Sequence, residues 1–228
     1  MVENWKLSVQ NYLDNLNNIL INYEKCKELY FGFEVIDGLL IENPKILFIG
    51  INPGAGNGKK EYKIKMNSER ISYLDYFDDE YNYPLAKETI EVFKIAGFSE
   101  NEIIDLFTNS VVKTNLFHIT TRLETDIKKC FDLCPELSYN EYWKKSVEFT
   151  INLIKTINPN IVIFEGKSVY DNIVKECYEI KNSWNEYGVA HYYSDEDKCH
   201  FIGYKRLFSN IQSDKNALGQ TIKNCLSE

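Results

Sequence analysis

The chain reads as an α/β protein, a three-layer α/β/α sandwich around a mainly parallel four-stranded sheet. Three observations predict this class. Four short apolar runs, at 45–50, 110–116, 160–166 and 199–204, have the length and bounding residues of strands buried on both faces. Segments with apolar residues at helical spacing lie between them, the order that produces parallel pairing. The 228 residues, 44% hydrophobic with 11 Gly and 5 Pro, are enough for one ordinary globular core.

From residue 5 to 30, Leu7, Val9, Tyr12, Leu13, Leu16, Leu20 and Tyr23 fall near helical spacing and predict one long amphipathic helix. Residues 1–44 are thus expected as a helical extension packed on a single domain spanning 1–228. The run 45–50 stops at Asn52-Pro53-Gly54 and is the first core strand. Residues 54–83 carry Tyr62, Tyr73, Tyr76, Phe77, Tyr81 and Tyr83 without clear period, as a long loop beside a strand end does. Helices are expected over 84–96, 99–107, 138–157, 168–180 and 214–226, with a short strand at 189–193 after the Tyr187-Gly188 turn. Ligands of such sheets bind at the carboxyl ends of the strands, here 50–56, 115–122, 166–167 and 205–210.

Charge and cysteine usage exclude several classes. With 26 Lys+Arg against 34 Asp+Glu the net charge is −8, which opposes nonspecific nucleic-acid binding by bulk charge and leaves only local basic patches at 58–65 and 204–206. The cysteines Cys26, Cys130, Cys134, Cys177, Cys199 and Cys225 form no C-x-x-C pair and read as reduced thiols, with no metal or cofactor. No stretch approaches the roughly 18 apolar residues of a membrane span, and residues 1–10 lack a cationic start with an apolar core. A cytoplasmic protein with no membrane partner is expected.

Two motifs carry chemistry. In Gly50-Ile51-Asn52-Pro53-Gly54-Ala55-Gly56-Asn57-Gly58, Pro53 fixes a turn, the glycines let a ligand approach the backbone, and Asn52 offers an uncharged amide able to orient a water. In Lys113 to Arg122, a buried strand ends in Asn115, followed by His118 and Arg122, and an amide at a strand tip can pair with a base edge. Phosphate loops fail: Glu165-Gly166-Lys167-Ser168 has Ile161 where the first Gly belongs, and after Gly58-Lys59 comes Lys60 instead of Ser or Thr.

Together these segments resemble the uracil-DNA glycosylase superfamily, most nearly its mismatch-specific uracil and thymine branch. Gly50-Ile51-Asn52-Pro53-Gly54 is similar to that branch's first motif, Thr114-Asn115-Leu116 with Arg122 to its Thr-Asn-Leu segment, and 159–170 to its third strand and Gly-Lys turn. The second family motif, a His-Pro-Ser or Met-Pro-Ser loop after the last strand, is replaced by Lys205-Arg206-Leu207-Phe208-Ser209-Asn210. The resemblance implies hydrolysis of the N-glycosidic bond of uracil or another altered base flipped out of single- or double-stranded DNA. Asn52 would position the water, backbone groups of Ile51 and Gly54 would hold the base, Asn115 would read it, and Tyr62 would stack on it, with Tyr73 or Phe77 behind. Lys205, Arg206 and Ser209 would meet phosphate, and Leu207 or Phe208 would act as wedge. Two alternatives stay open: an enzyme acting on a free nucleotide or nucleoside, and a noncatalytic module that binds a base, a nucleic acid or a protein on the same fold.

Overall fold

The computed structural model describes residues 1–55, 60–78, 83–178, 184–207 and 210–228, without the side chains of 175 and 176. The chain begins with helices α1 (Val2–Leu20) and α2 (Glu24–Leu29), then strands β1 (Tyr30–Glu34), β2 (Ile36–Asp37), β3 (Ile46–Gly50) and β4 (Lys63–Lys65). A 3-10 segment, Ser72–Phe77, leads to α3 (Pro84–Ile95), α4 (Glu100–Asn109), β5 (Val111–Asn115), β6 (Ile119–Thr121), α5 (Glu124–Asp132), α6 (Tyr139–Ile157) and β7 (Ile161–Phe164). Next come α7 (Lys167–Tyr170), a π-helical turn, Asp171–Lys175, and α8 (Glu176–Tyr178). The hairpin β8 (Val189–Ser194) and β9 (Cys199–Tyr204), the small hairpin β10 (Arg206–Leu207) and β11 (Asn210–Ile211), and α9 (Lys215–Leu226) complete the order.

The fold is mixed α/β with a mainly parallel sheet, but the main sheet has six strands where four were expected. Its order is β2-β5-β3-β7-β9-β8. The inner four are the expected strands and are mutually parallel, while β2 and β8 close the two edges antiparallel. Alternation along the strands divides the core. Leu47, Ile49, Val112, Val162, Phe164 and Phe201 face one way, against α1 and α6. Ile46, Phe48, Val111, Ile161, Ile163 and Ile202 face the other, against α3, α4 and α9. Both faces of the sheet are therefore covered by helices.

The segment 1–44 differs from a purely helical extension. The expected long helix stops at Leu20, because the chain turns at Tyr23 and α2 docks on α5: the Tyr23 hydroxyl donates to Glu136 at 2.8 Å, and Cys26 Sγ lies 3.2 Å from the Cys130 carbonyl. Residues beyond α2 then supply two strands. β2 pairs with β5 in the main sheet, and β1 is the middle strand of a second sheet ordered β4-β1-β6. The helix expected over 168–180 is broken into α7, the π turn and α8, and residues 179 and 180 lie outside the described residues. Local capping explains the helices that match: Pro84 starts α3, Ser99 and Glu102 form a reciprocal capping box on α4, and Asp214 caps α9.

Candidate active site

Parallel alignment of β5, β3, β7 and β9 brings four carboxyl ends to one edge of the sheet. Gly50 is in register with Asn115, and the two chains run on side by side: Leu116 N–H donates to the Gly50 carbonyl at 2.8 Å and Phe117 N–H to that of Ile51 at 2.9 Å. On the other flank, Glu165 N–H donates to the Ile49 carbonyl at 2.9 Å, placing Glu165 one residue past the end of β7. Asn115 and Glu165 thus flank Gly50 at the same level on adjacent strands, and Asn52 follows two residues beyond it.

The turn bearing Asn52 is clamped from one side. Gly54 bridges Thr121 in parallel, and Ala55 N–H donates to the Thr121 carbonyl at 3.1 Å. Asn52 Nδ2 donates to the Pro53 carbonyl and to Thr121 Oγ1, both at 3.1 Å. Thr121 Oγ1 spends its own proton on the Leu123 carbonyl at 2.8 Å, so it can only accept from Asn52. Both partners are acceptors, which fixes the amide orientation and leaves Oδ1 available as an acceptor. That is the atom a water would need. The backbone N–H groups of Ile51 and Gly54 have no acceptor among the described residues, which leaves two further donors beside it.

Asn115 and Glu165 converge above Gly50. A Cβ placed on Gly50 would lie 2.4 Å from Asn115 Oδ1 and 3.1 Å from Glu165 Oε2, so only glycine admits both side chains here. Glu165 is 2% exposed and accepts a hydrogen bond from the Tyr73 hydroxyl. Burial raises its carboxyl from the ordinary 4.5 to about 7; Arg206 nearby pulls it down, and the Asp37 charge pushes it up. Tyr204, whose hydroxyl burial keeps protonated, faces the same carboxyl and Arg206, yet it completes no hydrogen bond of good geometry among the described residues.

The expected site residues fall into two groups. Asn52, Ile51, Gly54 and Asn115 lie together at the sheet edge. Tyr62 is engaged away from them: its ring packs on Tyr30 at 5.5 Å, its hydroxyl donates to the Lys27 carbonyl at 3.1 Å, and its own carbonyl accepts from Asn17. The half-buried ring thus packs on Tyr30 with its hydroxyl tied to α2, which directs it to packing instead of to a base. Tyr73 is wholly buried, edge-on to Phe48 at 5.3 Å, and acts on Glu165 through its hydroxyl. Phe77 is half-buried against Tyr76.

The residues expected to meet phosphate or act as wedge lie in the loop after β9. Arg206 turns toward Glu165 and Tyr204, so its charge serves the buried carboxyl. Lys205 is exposed, with its ammonium 5.9 Å from the Trp184 ring. Leu207 is 59% exposed on the small hairpin β10–β11. Phe208 and Ser209 lie outside the described residues, as do Gly56, Asn57, Gly58 and Lys59. Arg122 is exposed with its guanidinium 5.6 Å from the Phe31 ring.

Glu165 is a candidate site residue that the motif spacing does not single out. The signal was present, an acidic side chain directly after the apolar run Ile161–Phe164, but it was tested only as part of a phosphate loop. An open groove of about 430 Å³ between the end of α3 and the start of α9 shares no residue with this edge. No protein-family model matches the chain, and no curated protein matches it in sequence.

Proposed function

We propose that the chain is a monofunctional hydrolase of N-glycosidic bonds on a uracil-DNA glycosylase-like fold, acting on uracil or another altered base extruded from DNA. The observation that carries the reading is the Asn52 amide, oriented by Pro53 and Thr121 so that Oδ1 accepts from a water, two residues beyond Gly50, which is in register with Asn115 on the adjacent strand. In the reaction the water oxygen attacks C1′ of a sugar with oxocarbenium character. The bond from C1′ to the base nitrogen breaks, its electron pair leaves with the base, and a proton from water ends on the solvent side. Asn115 pairs with the base edge. Glu165, near half-protonated at neutrality, donates from its protonated form to a base oxygen as negative charge grows there.

The exposed Leu207 on its hairpin supports DNA as the substrate, since an apolar side chain presented at a turn can fill the gap left by an extruded nucleotide. The test is incubation of the protein with labelled single-stranded, U·A, U·G and T·G oligonucleotides, followed by alkali cleavage. Strand scission is expected, and Asn52→Ala should lower it by about 10²-fold or more. A folded protein that cleaves none of these substrates sinks the reading. A free nucleoside or nucleotide is the second reading, favoured by the net charge of −8, which duplex DNA would repel.

A further inference from the structure

At the opposite edge of the main sheet, β8 and β9 pair antiparallel with His191 opposite Ile202 and Tyr193 opposite His200. Residues paired this way point to one face, so His191 and His200 are diagonal neighbours on the face that packs against α9. Their rings lie nearly parallel, 21° apart with centroids at 5.3 Å, and the Tyr193 ring closes over His200 at 4.8 Å. The last turn of α9 lowers Cys225 onto the pair. His191 Nε2 stands 3.1 Å from His200 Nδ1 and 3.5 Å from Cys225 Sγ, and the ligand atoms of all three lie within 4.8 Å of one another.

We propose that His191, His200 and Cys225 bind a single zinc ion in tetrahedral geometry, with Glu228 holding His200 from behind. Zinc with bonds of ~2.3 Å to sulfur and ~2.0 Å to nitrogen gives tetrahedral edges of about 3.5 Å between S and N and about 3.3 Å between two N. The two short edges of the cluster match these, and a modest rotation of Cys225 closes the third. Glu228 Oε2 lies 3.3 Å from His200 Nε2, so the carboxylate takes that N–H and leaves Nδ1 as the ligand, the arrangement that orients metal-bound histidines. His191 is exposed, which gives an ion access and leaves the fourth position to water.

The charges agree with this assignment. Cysteine binds zinc as the thiolate, so the ion must displace the Cys225 proton. Zinc, one thiolate and the Glu228 carboxylate then sum to zero beside the apolar α9 face. The sequence-level reading of six plain thiols missed the site because it looked for cysteine pairs, whereas two of these ligands are histidines brought in by strand register.

The experiment uses the full chain, stripped with a chelator and titrated with Co²⁺ as a spectroscopic stand-in, then with Zn²⁺ in competition. One Co²⁺ per chain is expected, with intense visible bands of tetrahedral cobalt and a near-ultraviolet thiolate-to-cobalt band, all displaced by one equivalent of Zn²⁺. Affinity should rise about tenfold per pH unit across neutrality, because one thiol proton leaves. Cys225→Ser should lose the thiolate band and that slope. His191→Ala, at an exposed position that does not threaten folding, should weaken binding at least tenfold, and Glu228→Gln about 10- to 100-fold. Cys177→Ser, which alters an exposed cysteine elsewhere, should change nothing. Weak octahedral bands, binding below one equivalent, or a thiolate band that survives Cys225→Ser would overturn the proposal.

Discussion

Glu165 and His118 both lie wholly inside the protein, and burial disfavours the charged form of each, raising the proton affinity of the carboxyl and lowering that of the imidazole. The Glu165 carboxyl rises from 4.5 to about 7, so the folded chain holds that proton more tightly than the unfolded chain does. Its contribution to stability is whole below pH 4.5 and is lost as pH rises through 7. His118 falls from 6.5 to about 4, and neither ring nitrogen has a hydrogen-bond partner among the described residues. Its contribution is whole above pH 6.5 and is lost as pH falls through 4. Between 4.5 and 6.5 the two slopes offset, each amounting at its limit to on the order of 3 kcal/mol. Denaturant melts across pH 4 to 8 should expose each slope singly. Glu165→Gln should no longer lose stability toward pH 8, and His118→Leu should resist acid further than the parent chain. Unchanged slopes in both variants would refute the assignment of these two groups. In the glycosylase assay, Glu165→Gln should also flatten the rate profile near pH 7. Neither shift was legible in the sequence, since a Glu or a His shows its surroundings only once the strand ends are assembled.

Strand β5 carries a charge into the protein interior. Lys113 and Asp37 are 5% and 8% exposed, and their ion pair spans 3.1 Å between β5 and β2. Burial disfavours the charged form of Lys113, but Tyr83 and Asp37 outweigh it and raise the ammonium's affinity for its proton. The Tyr73 ring lies 4.1 Å from the same nitrogen. Lys113→Met would leave Asp37 buried without its cation, and the chain should lose about 3–5 kcal/mol in a denaturant melt. A loss under about 1 kcal/mol would show that Asp37 finds other partners. The same strand shows what was legible: Val111 and Val112 mark it as buried, and the four inner strands all announced themselves as apolar runs. The two-residue β2 and three-residue β4 and β6 are too short to show a period, and α5 buries only Asp126, Ile127, Cys130 and Phe131 along a charged helix. Those elements exist because tertiary partners hold them.

For the molecule as a whole, the separation between the two substrate readings is electrostatic. A chain of net charge −8 that nonetheless binds DNA must do so through local cations, and Lys205, Lys167, Arg122 and Lys60 are exposed near the strand ends in sequence. If three phosphates are neutralised, affinity for single strands should fall with log salt at a slope of about −2, whereas a nucleoside should bind with a slope near zero. Titration of labelled uracil oligonucleotide at rising salt checks this. A slope near zero with the oligonucleotide would move the reading to the small ligand. That the segments after the four inner strands share one edge of the sheet was legible from the order of strands and helices alone; the six-stranded width and the role of the first forty residues were not, because they depend on pairings between segments distant in the chain.

Those first forty residues also set the order in which the site can be assembled. As the middle strand of the smaller sheet, β1 pairs Gly32 with Lys63 and Phe33 with Ile119. During synthesis β1 leaves the ribosome first and must wait for both of its neighbours. The later of these neighbours ends at Thr121, the residue that aims the Asn52 amide. Asn52 is therefore made early but set in place late, after more than half of the chain exists. A nascent chain stalled before residue 119 would display the whole Gly50 to Gly54 motif and still hold no oriented amide. The motif acquires its chemistry through a contact that its own neighbourhood in the chain cannot provide.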